Sequence, residues 1–343
     1  MLDLRTDGSW VKGALHCHST ASDGALSPAD VIGYYASKGY GVVAITDHGR
    51  ITKERFEGED IVVLPGIEIS KGGTKLGSEY HMVALGIDDQ SVNDLGSPSE
   101  IIDEVNSAGG MVIVAHPYWS GLVYDDLVDI EGYAGIEVYN TGCEVEVTKG
   151  YSAVHWDELL YSGVRCFGFA VDDAHRYFIP PLDADGGWVW FKPVEANVES
   201  VLKALKGGLF YSSTGPSINR LVISEDTVHV DMTPVSRLNV ISRNGIGLSV
   251  ELEQLRKLIE MWREPDERRR LEGAFERVEV VEEEGLVNAF ISVRGSELEL
   301  TFDEKGLRTF HAEVKLGGNY LRVELVDEDG RVAWSNPIFL SRT

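Results

Sequence analysis

Short apolar runs alternate with amphipathic stretches over the first two thirds of the chain. The runs cover residues 14–18, 42–47, 61–69, 81–87, 111–116, 135–139, 166–171 and 188–191. Several are nearly unbroken Val, Ile and Leu, the mark of strands covered on both faces in a parallel sheet. The helices between them announce their starts. Ser27-Pro28-Ala29-Asp30 and Ser97-Pro98-Ser99-Glu100 each place serine at the cap, proline at the first helical position and an acid three residues after the cap. Residues 197–206 read as a further amphipathic helix, ended by Gly207-Gly208. Strand–helix alternation repeated seven or eight times predicts an α/β fold, either a barrel or a doubly wound sheet.

Beyond Gly215-Pro216 the texture changes. Runs at 221–223, 228–230, 238–242, 278–281, 289–293, 298–302, 310–314 and 321–326 are short and β-prone, several alternate apolar with polar residues, and turn signals separate them. That pattern predicts an antiparallel β-sandwich. Leu252, Leu255, Ile259 and Trp262 step by three and four residues, and Glu264-Pro265 breaks the step before Leu271 and Phe275. The steps predict a helical hairpin inserted at about 249–276, packed on its own sandwich rather than serving dimerisation. Two domains are expected, 1–216 and 217–343, as suits 343 residues.

Charge narrows the function. The chain holds 56 acidic against 31 basic residues, a net charge of −25. Such a field repels polyanions, so a nucleic-acid polymer or an anionic membrane is not an expected partner. A small anionic substrate would need local positive charge, which bound metal ions can supply. Three cysteines, Cys17, Cys143 and Cys166, without CxxC spacing argue against a disulfide scaffold or a thiolate zinc site. The first ten residues lack the apolar core of a signal peptide, and a cytoplasmic location is expected. Oligomeric state is left open, homo-oligomers included.

The histidines carry the chemistry. Seven of nine fall in the first 175 residues, and six of those lie on or beside a predicted strand. His16 and His18 close the first run, so with a period of two both imidazoles leave one face and Cys17 the other. Asp23 follows on the next loop, His48 ends the second run, Glu68 the third, His81 sits on the fourth and His116 ends the fifth. Asp173 and His175 follow the seventh. Barrel active sites are assembled from the carboxyl ends of strands. Nine imidazoles and carboxylates at one mouth would repel or stay unpaired without cations. The set favours zinc, manganese or iron and, at three or four ligands each, suggests three ions with Glu68 a bridge.

The series His16-Cys17-His18, Ser22-Asp23-Gly24, Ala44-Ile45-Thr46-Asp47-His48, Gly66-Ile67-Glu68, His81, Ala115-His116-Pro117 and Asp173-Ala174-His175 resembles the motifs of the PHP (polymerase and histidinol phosphatase) superfamily, in order over roughly residues 10–216. The resemblance implies a distorted seven-stranded βα barrel with a trinuclear metal site. It implies one ion on His16, His18, Glu68 and Asp173, a second on Glu68, His81 and His116, and a third on Asp23, His48 and His175. In the second half, the segment 208–216 and Ala333-Trp334-Ser335-Asn336-Pro337-Ile338 resemble the carbaryl-hydrolase-like branch, which carries a β-sandwich after the barrel.

These expectations converge on a metal-dependent hydrolase, a phosphoesterase acting on a small monoester or nucleotide through a metal-bridging hydroxide. A carbamate or amide hydrolase on the same centre is the alternative, and a non-catalytic metal-binding or binding module the third reading. Glu68 would serve catalysis through its bridge, and His175 or His48 could protonate the leaving group. Asp172, beside Asp173, is the first-ranked orienter of the ligands. Arg50, Lys71 and Arg176 are candidates to clamp a phosphate, and Tyr118, Trp119 and Asn140 to line the pocket.

Overall fold

A computed structural model of the protein describes residues 2–4, 10–53, 61–193, 195–224, 226–313 and 318–340. The chain divides into two compact units. One runs from Gly8 to Ser212; the other comprises Ser213–Thr343 together with the N-terminal segment through Asp7.

In the first unit Val11–Ala14, Val42–Ile45 and Val62–Lys71 pair in parallel. Tyr80–Leu85 runs antiparallel to Val62–Lys71 and to Met111–Val114, and Gly135–Asn140 and Phe167–Val171 then resume the parallel order. Trp188–Phe191 pairs antiparallel on the outer side of Val11–Ala14. A parallel bridge between Cys17 and Ala174 ties the continuation of the first strand to that of the seventh. There the Asp173 N–H donates to His16 O and the His18 N–H to Ala174 O, both at 2.9 Å.

The unbroken apolar runs have a direct cause. Val42 and Ala44 enter one core cluster with Leu64, Val83, Ile113 and Phe169. Val43 and Ile45, pointing the other way, enter a second with Val31, Ile32 and Tyr35 of the helix Pro28–Ser37. Both faces are dry, so neither can carry polar residues. Helix Val198–Lys206 adds Val201, Leu202, Ala204 and Leu205 to the first cluster. It comes so close that a Cβ on Gly86, whose φ is +77°, would lie 2.4 Å from Leu202 Cδ1. The caps read from the sequence form. Ser97 Oγ accepts the Glu100 N–H, and Glu100 returns the bond to the Ser97 N–H at 3.0 Å.

One strand departs from the alternation. Tyr80–Leu85 is reached through a hairpin rather than a helix, and therefore runs backwards. His81, near its start, still arrives at the sheet edge where the parallel strands end.

The second unit is antiparallel. Its larger sheet has the order Leu2–Leu4, Ile218–Ile223, Thr227–Val235, Leu307–Glu313, Ser296–Phe302, Leu286–Val293, Arg277–Glu283. The N-terminal strand, which the sequence reading grouped with the first domain, pairs with Leu221–Ile223. Val314, expected to end the run begun at Phe310, lies outside the described residues. Gly247–Glu251, Arg237–Ile241, Tyr320–Val326 and Val332–Ser335 form a second antiparallel set. The inserted helices are Leu252–Arg263 and Pro265–Leu271, and Leu252, Leu255 and Ile259 are buried as their spacing predicts. Among the described residues no helix is long and apolar enough to cross a membrane.

Candidate metal centre

The strand ends deliver their side chains in different ways. His16 and His18 leave one face while Cys17 packs into the helix-facing cluster and donates its S–H to Ala44 O at 3.0 Å. Burial pushes the thiols of Cys17, Cys143 and Cys166 up, the last to about 12, so all three are poor nucleophiles. His116 needs a backbone irregularity. Met111, Ile113 and Ala115 point into the inner cluster, so regular alternation would turn His116 outward. A φ of 27° breaks the alternation and leaves the ring facing Glu68. Asp173 also sits at positive φ, 55°. Such backbone costs about 1–3 kcal/mol per residue and is a common companion of functional sites.

Three groups of donor atoms result, each within 4.8 Å: His16, His18, Glu68 and Asp173; Glu68, His81 and His116; and His18, Asp23, His48 and His175. All nine residues singled out from the sequence are in them, and His18 joins the third group as well as the first. In the first group His16 Nε2 lies 3.1 Å from His18 Nε2, 3.3 Å from Glu68 Oε2 and 3.2 Å from Asp173 Oδ1. His18 Nε2 lies 3.2 and 3.1 Å from the same two oxygens. Four ligands around an ion at 2.0–2.1 Å in a tetrahedron stand about 3.3 Å apart. The two carboxylate oxygens, Glu68 Oε2 and Asp173 Oδ1, are buried without a hydrogen-bond partner. Buried unsatisfied carboxylate oxygens aimed at imidazole nitrogens are the arrangement a divalent cation would satisfy, so the donor set fits one.

Glu68 divides its oxygens. Oε2 faces His16, His18 and, at 3.1 Å, His48 Nδ1; Oε1 faces His81 Nδ1 at 2.9 Å and His116 Nε2 at 3.4 Å. The third group is looser and more open, with His48 and His175 Nε2 at 3.6 and 3.5 Å from the oxygens of Asp23.

The electrostatics match this arrangement. Burial alone would lower the pKa of His16, but Asp173, Glu137 and Glu68 outweigh it and hold the imidazole well above its ordinary value. Burial likewise opposes the charge on His18, yet the facing carboxylates of Asp173 and Glu68 push it up to about 9. Burial would raise Glu68 and Asp173; His16 and the neighbouring imidazoles hold both carboxyls well below the usual range. In the metal-free protein these rings therefore keep protons at neutral pH, and a proton on a ring nitrogen blocks the lone pair a cation needs. Zinc affinity, measured by calorimetry, is expected to climb as pH rises from about 6.5 to about 9, with protons released on binding. Affinity that stays flat across that span would contradict it.

The mouth is a cavity of about 300 Å³ walled by Asp23, His48, Glu68, His81, His116, Trp119, Glu146, Asp173, His175, Arg176 and Asp183, among others. Asp183 accepts the backbone N–H groups of His175, Arg176 and Tyr177 and so shapes that loop. The indole of Trp119 stands edge-on to the rings of His81 and His116.

The weaker sequence candidates separate. Arg176 lines the cavity, its Nη2 3.2 Å from Glu146 Oε1. Arg50, Lys71 and Tyr118 are not in the cavity wall. Arg50 donates to Ala21 O, Lys71 ends its strand three residues past Glu68, and the Tyr118 N–H is held by Ser152 Oγ. Asn140 is fully buried and donates to Glu137 and Asp173, which makes it a brace rather than a pocket wall. Asp172 faces away from the donor groups. Its oxygens accept the hydroxyls of Tyr35 and Thr141 and the N–H groups of Asp185, Gly186 and Gly187. The contact to a ligand ring expected of Asp172 comes instead from Glu137, whose Oε1 lies 2.6 Å from His16 Nδ1. Sequence reading missed Glu137 and Asp183. The available signal for Glu137 was a lone charge in an otherwise uncharged strand.

No family model matches the chain. It is similar to an uncharacterized protein of Methanocaldococcus jannaschii, 28% identical over an alignment of 147 residues that covers 38% of this chain and 82% of that protein. It is also similar to a 5'-3' exoribonuclease of Haemophilus influenzae, 35% identical over 79 residues, 22% of this chain and 28% of the exoribonuclease. Among solved structures, a two-domain protein from Bacteroides vulgatus containing a predicted PHP-like metal-dependent phosphoesterase superposes with a TM-score of 0.48 at 14% identity, over 96% of this chain and 95% of that one.

Proposed function

We propose that the chain is a metal-dependent hydrolase of the PHP superfamily, a distorted seven-stranded βα barrel followed by a β-sandwich, and that it cleaves a small phosphomonoester or nucleotide. The observation that carries this reading is Glu68, whose two buried oxygens face two different sets of imidazoles. His16, His18, Glu68 and Asp173 would hold one ion, Glu68, His81 and His116 a second, and Asp23, His48 and His175, with His18 beside them, a third. Manganese, zinc and iron all suit this donor set.

Ions so held act as Lewis acids and make water nucleophilic near neutral pH. The chain's own groups do the rest. Asp23, Glu68, Glu146, Asp173 and Asp183 line the cavity against one arginine among the described residues, so an anion enters only against compensating positive charge. Arg176 orients the anion from the mouth. His175, kept in place through its loop by Asp183, is more open than His16 or His116, and where it is not engaged as a ligand its Nε2 would donate a proton to the leaving oxygen. The relative from Haemophilus influenzae acts, by its name, on RNA ends; the charge of −25 and the small cavity favour a short substrate here.

One observation favours carbamate or amide hydrolysis, the chemistry of the carbaryl-hydrolase-like branch. Arg176 is already paired with Glu146, and an uncharged substrate would not need it free. Manganese-loaded protein assayed on p-nitrophenyl phosphate, nucleotides and aryl carbamates separates the two. Phosphate release is the expected result; turnover of carbamates alone would replace the phosphoesterase reading, and turnover of neither would leave a binding module.

A further inference from the structure

Glu137 lies in the strand Gly135–Asn140, all six residues of which are buried. A buried carboxylate persists only when its oxygens are satisfied. Here Oε1 lies 2.6 Å from His16 Nδ1, while Oε2 accepts the His116 backbone N–H at 2.8 Å and the Asn140 amide at 2.9 Å. The same Asn140 nitrogen lies 3.2 Å from Asp173 Oδ2. Residues three apart on a regular strand point to opposite faces. Against Phe167–Val171, however, Glu137 pairs with Phe169 and Tyr139 with Ala170, so Val138 is an extra residue. This bulge brings Glu137 and Asn140 to one side.

We propose that Glu137 is the positioning residue of the metal centre: it sets the tautomer of His16 and, through Asn140 and the His116 backbone, steadies two further ligands. This role rests on the donor groups being a metal centre. A carboxylate only accepts, so in the neutral ring that a cation requires the hydrogen sits on Nδ1 and the lone pair on Nε2. That nitrogen stands 3.1–3.3 Å from the other donors of the first group. The braced residues His116 and Asp173 are the two candidate ligands at positive φ, where the backbone most needs holding.

Glu137→Gln tests the tautomer. The amide oxygen is needed where His116 N–H and Asn140 converge, so its NH₂ turns to His16 Nδ1. That nitrogen must then accept, the hydrogen moves to Nε2, and the lone pair facing the ions is lost. Zinc binding by the variant is expected to weaken about 10–100-fold, with the metal-free melting midpoint close to that of the parent. Equal zinc affinity in variant and parent would overturn the proposal. A second measurement needs no variant: nitrogen-15 NMR of zinc-loaded parent protein, with His16 assigned, is expected to show hydrogen on Nδ1, and hydrogen on Nε2 would overturn it. Parent protein that takes up no zinc overturns the metal-centre reading and this one together. Parent protein that binds zinc more tightly than the variant but hydrolyses nothing upholds the role of Glu137 and fails only the hydrolase.

Discussion

Glu68→Gln is expected to reduce bound metal in purified protein and to lower kcat by about 10³-fold, the rate equivalent of about 4 kcal/mol of transition-state stabilisation. The size reflects position. Glu68 belongs to two of the three donor groups, and each of its oxygens serves a different one. A glutamine keeps the volume but offers one oxygen and one NH₂, so at least one group loses its anionic ligand and meets a donor instead. The NH₂ would then face imidazole nitrogens that should hold a cation. Elemental analysis and steady-state kinetics on the same preparation check the result together. Full metal content with unchanged kcat would remove Glu68 from the centre and with it the observation that carries the proposed function.

Asp172→Ala is expected to cost stability rather than to act first on chemistry. Two hydroxyls and three backbone N–H groups converge on this carboxylate at 2.8–2.9 Å. Burial pushes its pKa up, and the N–H groups of Gly187 and Gly186 oppose that rise. Deleting it strands several buried donors at once, and a loss of about 3–5 kcal/mol in denaturant unfolding is expected. Zinc affinity in the fraction that remains folded should stay near that of the parent, because the five groups that bond to Asp172 include none of the nine candidate ligands. A stable variant with weakened zinc binding would restore Asp172 as an orienter and contradict that bonding pattern.

Most of the nine donor residues were legible because strand ends are legible; Glu68, three residues inside the end of Val62–Lys71, His81, near the start of its strand, and Asp23, in a turn, are the exceptions. Apolar runs stop where the chain leaves the sheet, and a histidine or acid at the stop is conspicuous. His81 was found as a residue but not in its setting, since Gly72-Gly73 and Gly77-Ser78 signal a turn there without saying that the next strand runs backwards against the last. Asp172 was overvalued for the opposite reason. Adjacency to Asp173 looked like cooperation, whereas Asp172 is bonded to Tyr35, Thr141 and the backbone of 185–187 while Asp173 faces His16 and His18. Glu137 was missed because its value depends on a bulge at Val138, and bulges leave little trace in periodicity. Leu2–Leu4 went to the wrong unit because a three-residue strand has no period to read, and its partner lies more than two hundred positions away.

The ladder between Val62–Lys71 and Tyr80–Leu85 sets Ser70 opposite His81 and Glu68 opposite Val83. A slip of one position would bring Tyr80 inward and carry the imidazole to the other side. The turn that joins these strands is under no such constraint. Residues 72–79 form no part of the cavity wall, so an insertion at their tip leaves the nine donor side chains and the space between them as they are.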